Sequence, residues 1–195
     1  MARQEIAVVG AGAKAAAIAA KAWCLRQTGR DVHVTIFERS AIGAHWDGAH
    51  GYTDGDQALC TAAERDLGFP YDSAAFGEAV TGLMQARFSW MAHTISDEVD
   101  MGYADWVNRG SPHPAHRAFA AYIRDAVART EVEPIYEEVF GLRLVDGRWG
   151  VLSGASEGGD RFWNDNFDGV VITSPGPQSS RFDTTDSRFF DGESF

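Results

Sequence analysis

Two hydrophobic rhythms divide this chain. Residues 6–9 are a short apolar run, Ile-Ala-Val-Val, and residues 32–37 alternate as Val-His-Val-Thr-Ile-Phe before an acid, Glu38. Between them lies an alanine-rich segment of helix length, from about Ala13 to Thr28, followed by Gly29. Alanine favours helix and leaves a thin face for packing on a sheet. A glycine just past the last turn is suited to the left-handed C′ position. The pattern therefore predicts a strand, a tight turn, a helix and a second, parallel strand.

Downstream the rhythm changes. From Ser73 to Val107 the pattern is helical with breaks, and Phe76, Val80, Leu83 and Met84 fall on one face, predicted to be core. Arg87-Phe88-Ser89-Trp90 leads on to Tyr103 and Trp106, aromatics that either wall a flat ligand or fill the core. A second helix is predicted from about Ala115 to Arg129, with Phe119, Tyr122, Ile123, Ala126 and Val127 as its buried stripe. A β-rich stretch follows: Val132 to Tyr136, Val139 to Val145 and Trp149 to Leu152, with Asp146-Gly147 as a hairpin turn and Phe162 opening a further strand. Residues 167–172 read as a buried strand returning to the parallel sheet, closed by a sharp turn through Ser174 and Gly176. The fold class expected is α/β: a parallel sheet, a helical insert and a small antiparallel β-meander. Residues 1–178 are expected to be one domain and 179–195 a linker or docking tail. Residues 40–72, rich in Gly, Asp and His, lack periodicity and are expected to form an ordered loop lining a ligand.

Composition narrows the classes. Of 195 residues 45% are hydrophobic, enough for a real core. The net charge is −11 with no Lys/Arg-rich block, which argues against nucleic acid as a partner. Two cysteines, Cys24 and Cys60, make no disulfide framework and suit a reducing cytoplasm. No apolar run reaches membrane-spanning length, and the N-terminus enters a strand at once, which predicts no membrane span and no signal peptide. His45 and His50 have no third ligand at a convincing spacing, so no metal site is expected.

The turn between the first strand and helix carries the chemistry. It reads Gly10-Ala11-Gly12-Ala13-Lys14-Ala15, the pattern G-x-G-x-x-A. The first glycine permits a tight turn, the second lets a pyrophosphate approach the backbone, and the small third residue lets helix pack on strand. The helix start adds unpaired N–H groups and the positive end of its dipole. Glu38 closes the second strand where a carboxylate can accept from ribose hydroxyls. This combination predicts dinucleotide binding. Lys14 is either a solvated side chain or a contact to the bound group.

The order of elements, together with several further motifs, resembles the FAD-binding part of flavin-dependent amine N-hydroxylating monooxygenases. Among these, the mycobactin-type L-lysine N6-hydroxylases of siderophore biosynthesis look nearest. The motifs are residues 9–15, Gly43-Ala44-His45-Trp46, residues 51–55 and Glu64-Arg65-Asp66-Leu67-Gly68-Phe69-Pro70-Tyr71. Arg87-Phe88-Ser89-Trp90, Trp106-Val107-Asn108-Arg109-Gly110 and residues 190–195 extend them.

The resemblance implies that Gly10, Gly12, Ala15 and Glu38, with Arg39 beside it, hold FAD. It implies that Trp46 sits beside the flavin, that the Val132 backbone faces the adenine, and that Ser174 and Gly176 form a second pass at the cofactor. Arg65 falls where the family has a lysine gripping the substrate carboxylate; the charge is kept, but a planar fork replaces a point charge. The implied reaction is NADPH- and O2-dependent hydroxylation of the side-chain amine of lysine or ornithine. Such enzymes also hold an NADPH domain, and no second G-x-G-x-x-G occurs in these 195 residues. Turnover by this chain alone is therefore not expected, and a complementing NADPH-domain chain or a homo-oligomer is implied. Two other readings stay open: a non-catalytic nucleotide-binding subunit, and a small reductase binding NAD(P)H at the fingerprint, where Glu38 would disfavour a 2′-phosphate.

Overall fold

Side chains on a strand alternate between its faces. In β1 (Gln4–Val9), Ile6 and Val8 join one apolar cluster and Ala7 joins another. The first strand is thus covered on both faces, as a parallel strand requires. A computed structural model of the chain describes residues 2–50, 53–96, 102–156 and 158–173. Helix α1 (Ala13–Gln27) follows β1, and β2 (Val32–Phe37) returns parallel to it, with Ile6 opposite Val34 and Val8 opposite Ile36.

The thin face expected of α1 is present. Ala15, Ala16, Ala19, Ala20 and Cys24 are fully buried. The helix ends as its composition predicts: Gly29 has φ +85°, its N–H donates to Arg26 O at 3.1 Å, and the N–H of Arg30 donates to Leu25 O at 2.9 Å. That is the paired Schellman closure.

Among the described residues the helical insert holds four short helices: α2 (Ser73–Phe76), α3 (Glu78–Phe88), α4 (Trp90–Ile95) and α5 (Tyr103–Asn108). Val80 and Met84 are buried as expected, but Phe76 is 45% exposed. Gly77, at φ +84°, ends α2 and turns the chain, so Phe76 leaves the face it would share in one continuous helix. Its ring lies 4.0 Å from the Lys21 ammonium instead.

Helix α6 (His116–Ala128) buries Ala120, Tyr122, Ile123, Ala126 and Val127, packing against α1 and α4. The Tyr122 hydroxyl donates to Phe88 O and accepts from the N–H of Leu67 at 3.2 Å, tying the 64–71 turn to α3. Asp125 accepts from Arg129 Nε and lies 2.8 Å from His93 Nδ1, which links α6 to α4.

The predicted strand from Val132 to Tyr136 does not form. Only Ile135 pairs, in a single parallel bridge to Phe37, because Glu131 takes φ +62° and the chain meets the β2 edge only there. The meander is β3 (Glu138–Val145), β4 (Arg148–Gly154) and β5 (Arg161–Phe167), antiparallel and in that spatial order. Asp146 and Gly147, both at positive φ, make its first hairpin turn. The meander packs on the sheet face opposite α1 through Ala7, Phe37, Val151 and Phe167.

Strand β6 (Gly169–Ile172) then pairs parallel with β1, giving the sheet order β2-β1-β6. The uninterrupted buried strand expected over 167–172 is corrected. Phe167 ends the meander, and among the described residues β6 lies at the edge of the sheet, with Val171 39% and Ile172 61% exposed. The α/β class, with its parallel sheet, helical insert and antiparallel meander, holds. No helix among the described residues is long and apolar enough to cross a membrane.

Candidate cofactor site

Helix α1 begins without a side-chain cap. Gly12 is its N-cap residue, and no side chain bonds the first N–H groups. Unpaired donors at a helix start, with the dipole behind them, form an anion site. Residues 10–14 line one wall of an open cavity of about 350 Å³. The opposite wall runs from Glu38 to Ala41 and from Ala44 to Trp46, with Thr173 at the edge.

The two glycines are there for different reasons. Gly10 has φ +94°, a conformation that side chains resist, and its N–H donates to Phe37 O at 2.8 Å. Gly12 has φ −86°, which any residue adopts. A Cβ at Gly12 would meet no protein atom within 4 Å. Glycine at that position therefore keeps space open rather than relieving backbone strain. Ala15 is fully buried and packs inward; it supports the turn and does not line the cavity.

Glu38 closes the other side. Its Oε2 accepts from the N–H of Ala11 at 2.7 Å, and its Oε1 accepts from the N–H and hydroxyl of Ser40 at 2.9 and 3.0 Å. The carboxylate thus clamps the glycine turn to the end of β2 in addition to facing the cavity. Carboxylate oxygens accept more than one bond each, so capacity remains. Arg39 lines the same wall, and the exposed Lys14 lines the wall opposite.

Trp46 also lines the cavity. Its ring is held edge-on by His116 at 4.9 Å and Phe119 at 5.5 Å, both on α6, and by His45 at 5.1 Å. The irregular 40–72 segment therefore delivers one aromatic wall of the cavity, fixed from behind by a regular helix. Among the described residues, no group of three or more His, Cys, Asp or Glu could hold a metal.

Other expected positions lie elsewhere. Val132 is partly buried against the main core and does not line the cavity. Arg65 is exposed on a turn, its guanidinium 5.4 Å from the Phe69 ring, away from the cavity wall. Ser174 and Gly176 lie outside the described residues. The sequence reading missed Thr173, whose hydroxyl donates to Val9 O at 2.9 Å beside the glycine turn. A parallel strand entering next to β1 must end near that turn, and this is the signal that could have found it.

No family model matches the sequence. Curated relatives are L-lysine N6-monooxygenases MbtG. The one from Mycobacterium tuberculosis is 36% identical over 174 residues, which is 88% of this chain and 38% of that protein. The one from Mycolicibacterium paratuberculosis is 34% identical over the same length. The chain thus spans 38% of the length of these relatives. Among solved structures, the lysine monooxygenase NbtG from Nocardia farcinica superposes with a TM-score of 0.80 at 33% identity, covering 95% of this chain and 46% of that one. An ornithine hydroxylase, PvdA, from Pseudomonas aeruginosa shares the fold at a TM-score of 0.59 and 16% identity, covering 88% and 38%. The chain is homologous to part of proteins named L-lysine N6-monooxygenase and lysine monooxygenase.

Proposed function

We propose that this chain is the FAD-binding portion of an N-hydroxylating monooxygenase acting on the side-chain amine of L-lysine or ornithine in siderophore biosynthesis. NADPH binding is supplied by a part outside these 195 residues, either the rest of a longer protein or a complementing chain. Residues 1–178 make up the FAD-binding domain, and 179–195 link or dock it. The observation that carries the reading is the uncapped start of α1, with open space at Gly12, facing a carboxylate that also clamps the turn. The donor set fits a dinucleotide: N–H groups and Lys14 for the diphosphate, Glu38 for ribose hydroxyls, and Trp46 as an aromatic wall for the flavin.

In this assignment the bound flavin supplies electron transfer and oxygen activation. The chain itself binds, orients and shields. The helix start neutralises diphosphate charge. Glu38 fixes the turn and the sugar together. Trp46 and residues 40–46 limit water at one side of the cavity. Arg65 is assigned the substrate carboxylate; its exposed position leaves the guanidinium free of any ion pair among the described residues. Cytoplasmic location is part of the proposal, supported by two unpaired cysteines.

The test is FAD titration of the purified chain, followed by quenching of flavin fluorescence. Gly12→Val places a side chain where no protein atom would obstruct it, so the fold survives and binding is lost. Unchanged FAD affinity in Gly12→Val would overturn the site. Tighter binding of NADH than of FAD would favour the small-reductase reading.

A further inference from the structure

A second cavity, of about 320 Å³, lies between the 64–71 turn and helices α3, α4 and α5. It shares no lining residue with the cofactor cavity. Its walls are aromatic and acidic: Trp90, Tyr103, Trp106 and Tyr71, with Glu64 and Asp66, and no lysine or arginine. The Asp66 carboxylate is fixed there. It accepts from the Tyr71 hydroxyl at 2.7 Å, from the N–H of Gly68 at 3.0 Å and from the N–H of Trp90 at 2.8 Å. That charge, close to the Tyr71 phenol, adds to burial in holding the phenol in its neutral form.

The wall is also incompletely satisfied. Trp90 is 7% exposed, and its indole Nε1 has no hydrogen-bond partner, whereas the Nε1 of Trp106 donates to Pro112 O at 2.9 Å. Aromatic faces and fixed carboxylates both attract cations, and the attraction strengthens where water is displaced. A chain-wide charge of −11 adds to the field.

We propose that this cavity binds a compact organic cation of the alkylammonium class, independently of the cofactor site. The ring walls take the alkylated charge, and Glu64 and Asp66 set its sign. The proposal does not rest on flavin binding, and the experiment separates the two.

Choline is the probe, followed by intrinsic tryptophan fluorescence and calorimetry with and without saturating FAD. The control is its neutral isostere, with carbon in place of the quaternary nitrogen. Choline should bind roughly tenfold or more tightly than the isostere, with the same affinity whether or not FAD is present. Tyr103→Ala and Glu64→Gln, both at accessible positions, should each weaken choline several-fold while leaving FAD affinity and melting temperature unchanged. Equal binding of isostere and choline would reduce the site to an apolar pocket and overturn the proposal. Displacement of choline by FAD would place it in the cofactor cavity, and no choline binding at all would also overturn it.

Discussion

At the scale of single residues, Glu38 has two tasks that sequence spacing does not separate. It faces the cavity, and it holds the buried Ala11 N–H at 2.7 Å. Glu38→Ala leaves that N–H unpaired, at a cost of about 1–3 kcal/mol. We expect a fall in denaturant midpoint of that size even without cofactor, plus weaker FAD binding; loss of FAD affinity at unchanged stability would show that the clamp is unimportant. Cys24 and Cys60 make a second contrast. Burial pushes the Cys24 thiol up to about 11 from an ordinary 9.0. The unfolded thiol therefore ionises first as pH rises. Stability contributed below pH 9 is lost between 9 and 11. Cys24→Ala should flatten the pH dependence of the melting temperature in that window. A thiol reagent should modify exposed Cys60 in the native state and Cys24 only on unfolding.

At the scale of elements, the alanine face of α1 decides how close the helix sits to the sheet. Ala15, Ala16, Ala19 and Ala20 have no accessible surface. A larger residue there must push helix and sheet apart, which costs about 1–3 kcal/mol. Ala19→Leu is expected to lower stability by that amount and also to weaken FAD binding, since the helix start moves with the helix. A stable variant with native affinity would mean that the interface relaxes elsewhere. The 40–72 segment works the opposite way: it has little regular structure, yet Trp46 is fixed because α6 presents His116 and Phe119 to its ring.

At the scale of the whole molecule, the chain corresponds to 38% of its curated relatives. The proposed function therefore makes a molecular prediction. Mixed with the remaining portion of a lysine N6-monooxygenase, this chain should support lysine-dependent NADPH oxidation with hydroxylamine product, and alone it should not. No hydroxylamine product in the mixture would favour a non-catalytic subunit. FAD at one hundred times its dissociation constant should add about 2.7 kcal/mol of stability. The melting temperature should rise by several degrees for a chain of this size.

Much of this architecture is local and was legible in order. Gly10, Gly12 and Glu38 follow from a turn, an approach and a strand end separated by one helix, and Gly29 marks where that helix stops. The α6 stripe and the Asp146-Gly147 hairpin are likewise set by period and turn chemistry over a few residues. What the tertiary structure decided was which distant segments meet. Phe76 left the core because one glycine redirected α2; Val132 to Tyr136 stayed unpaired because the chain meets β2 only at Ile135; Thr173 reached the glycine turn because β6 pairs with β1. Periodicity records which way a side chain faces along its own element. It does not record which element stands opposite, and that choice rests on contacts between residues far apart in sequence.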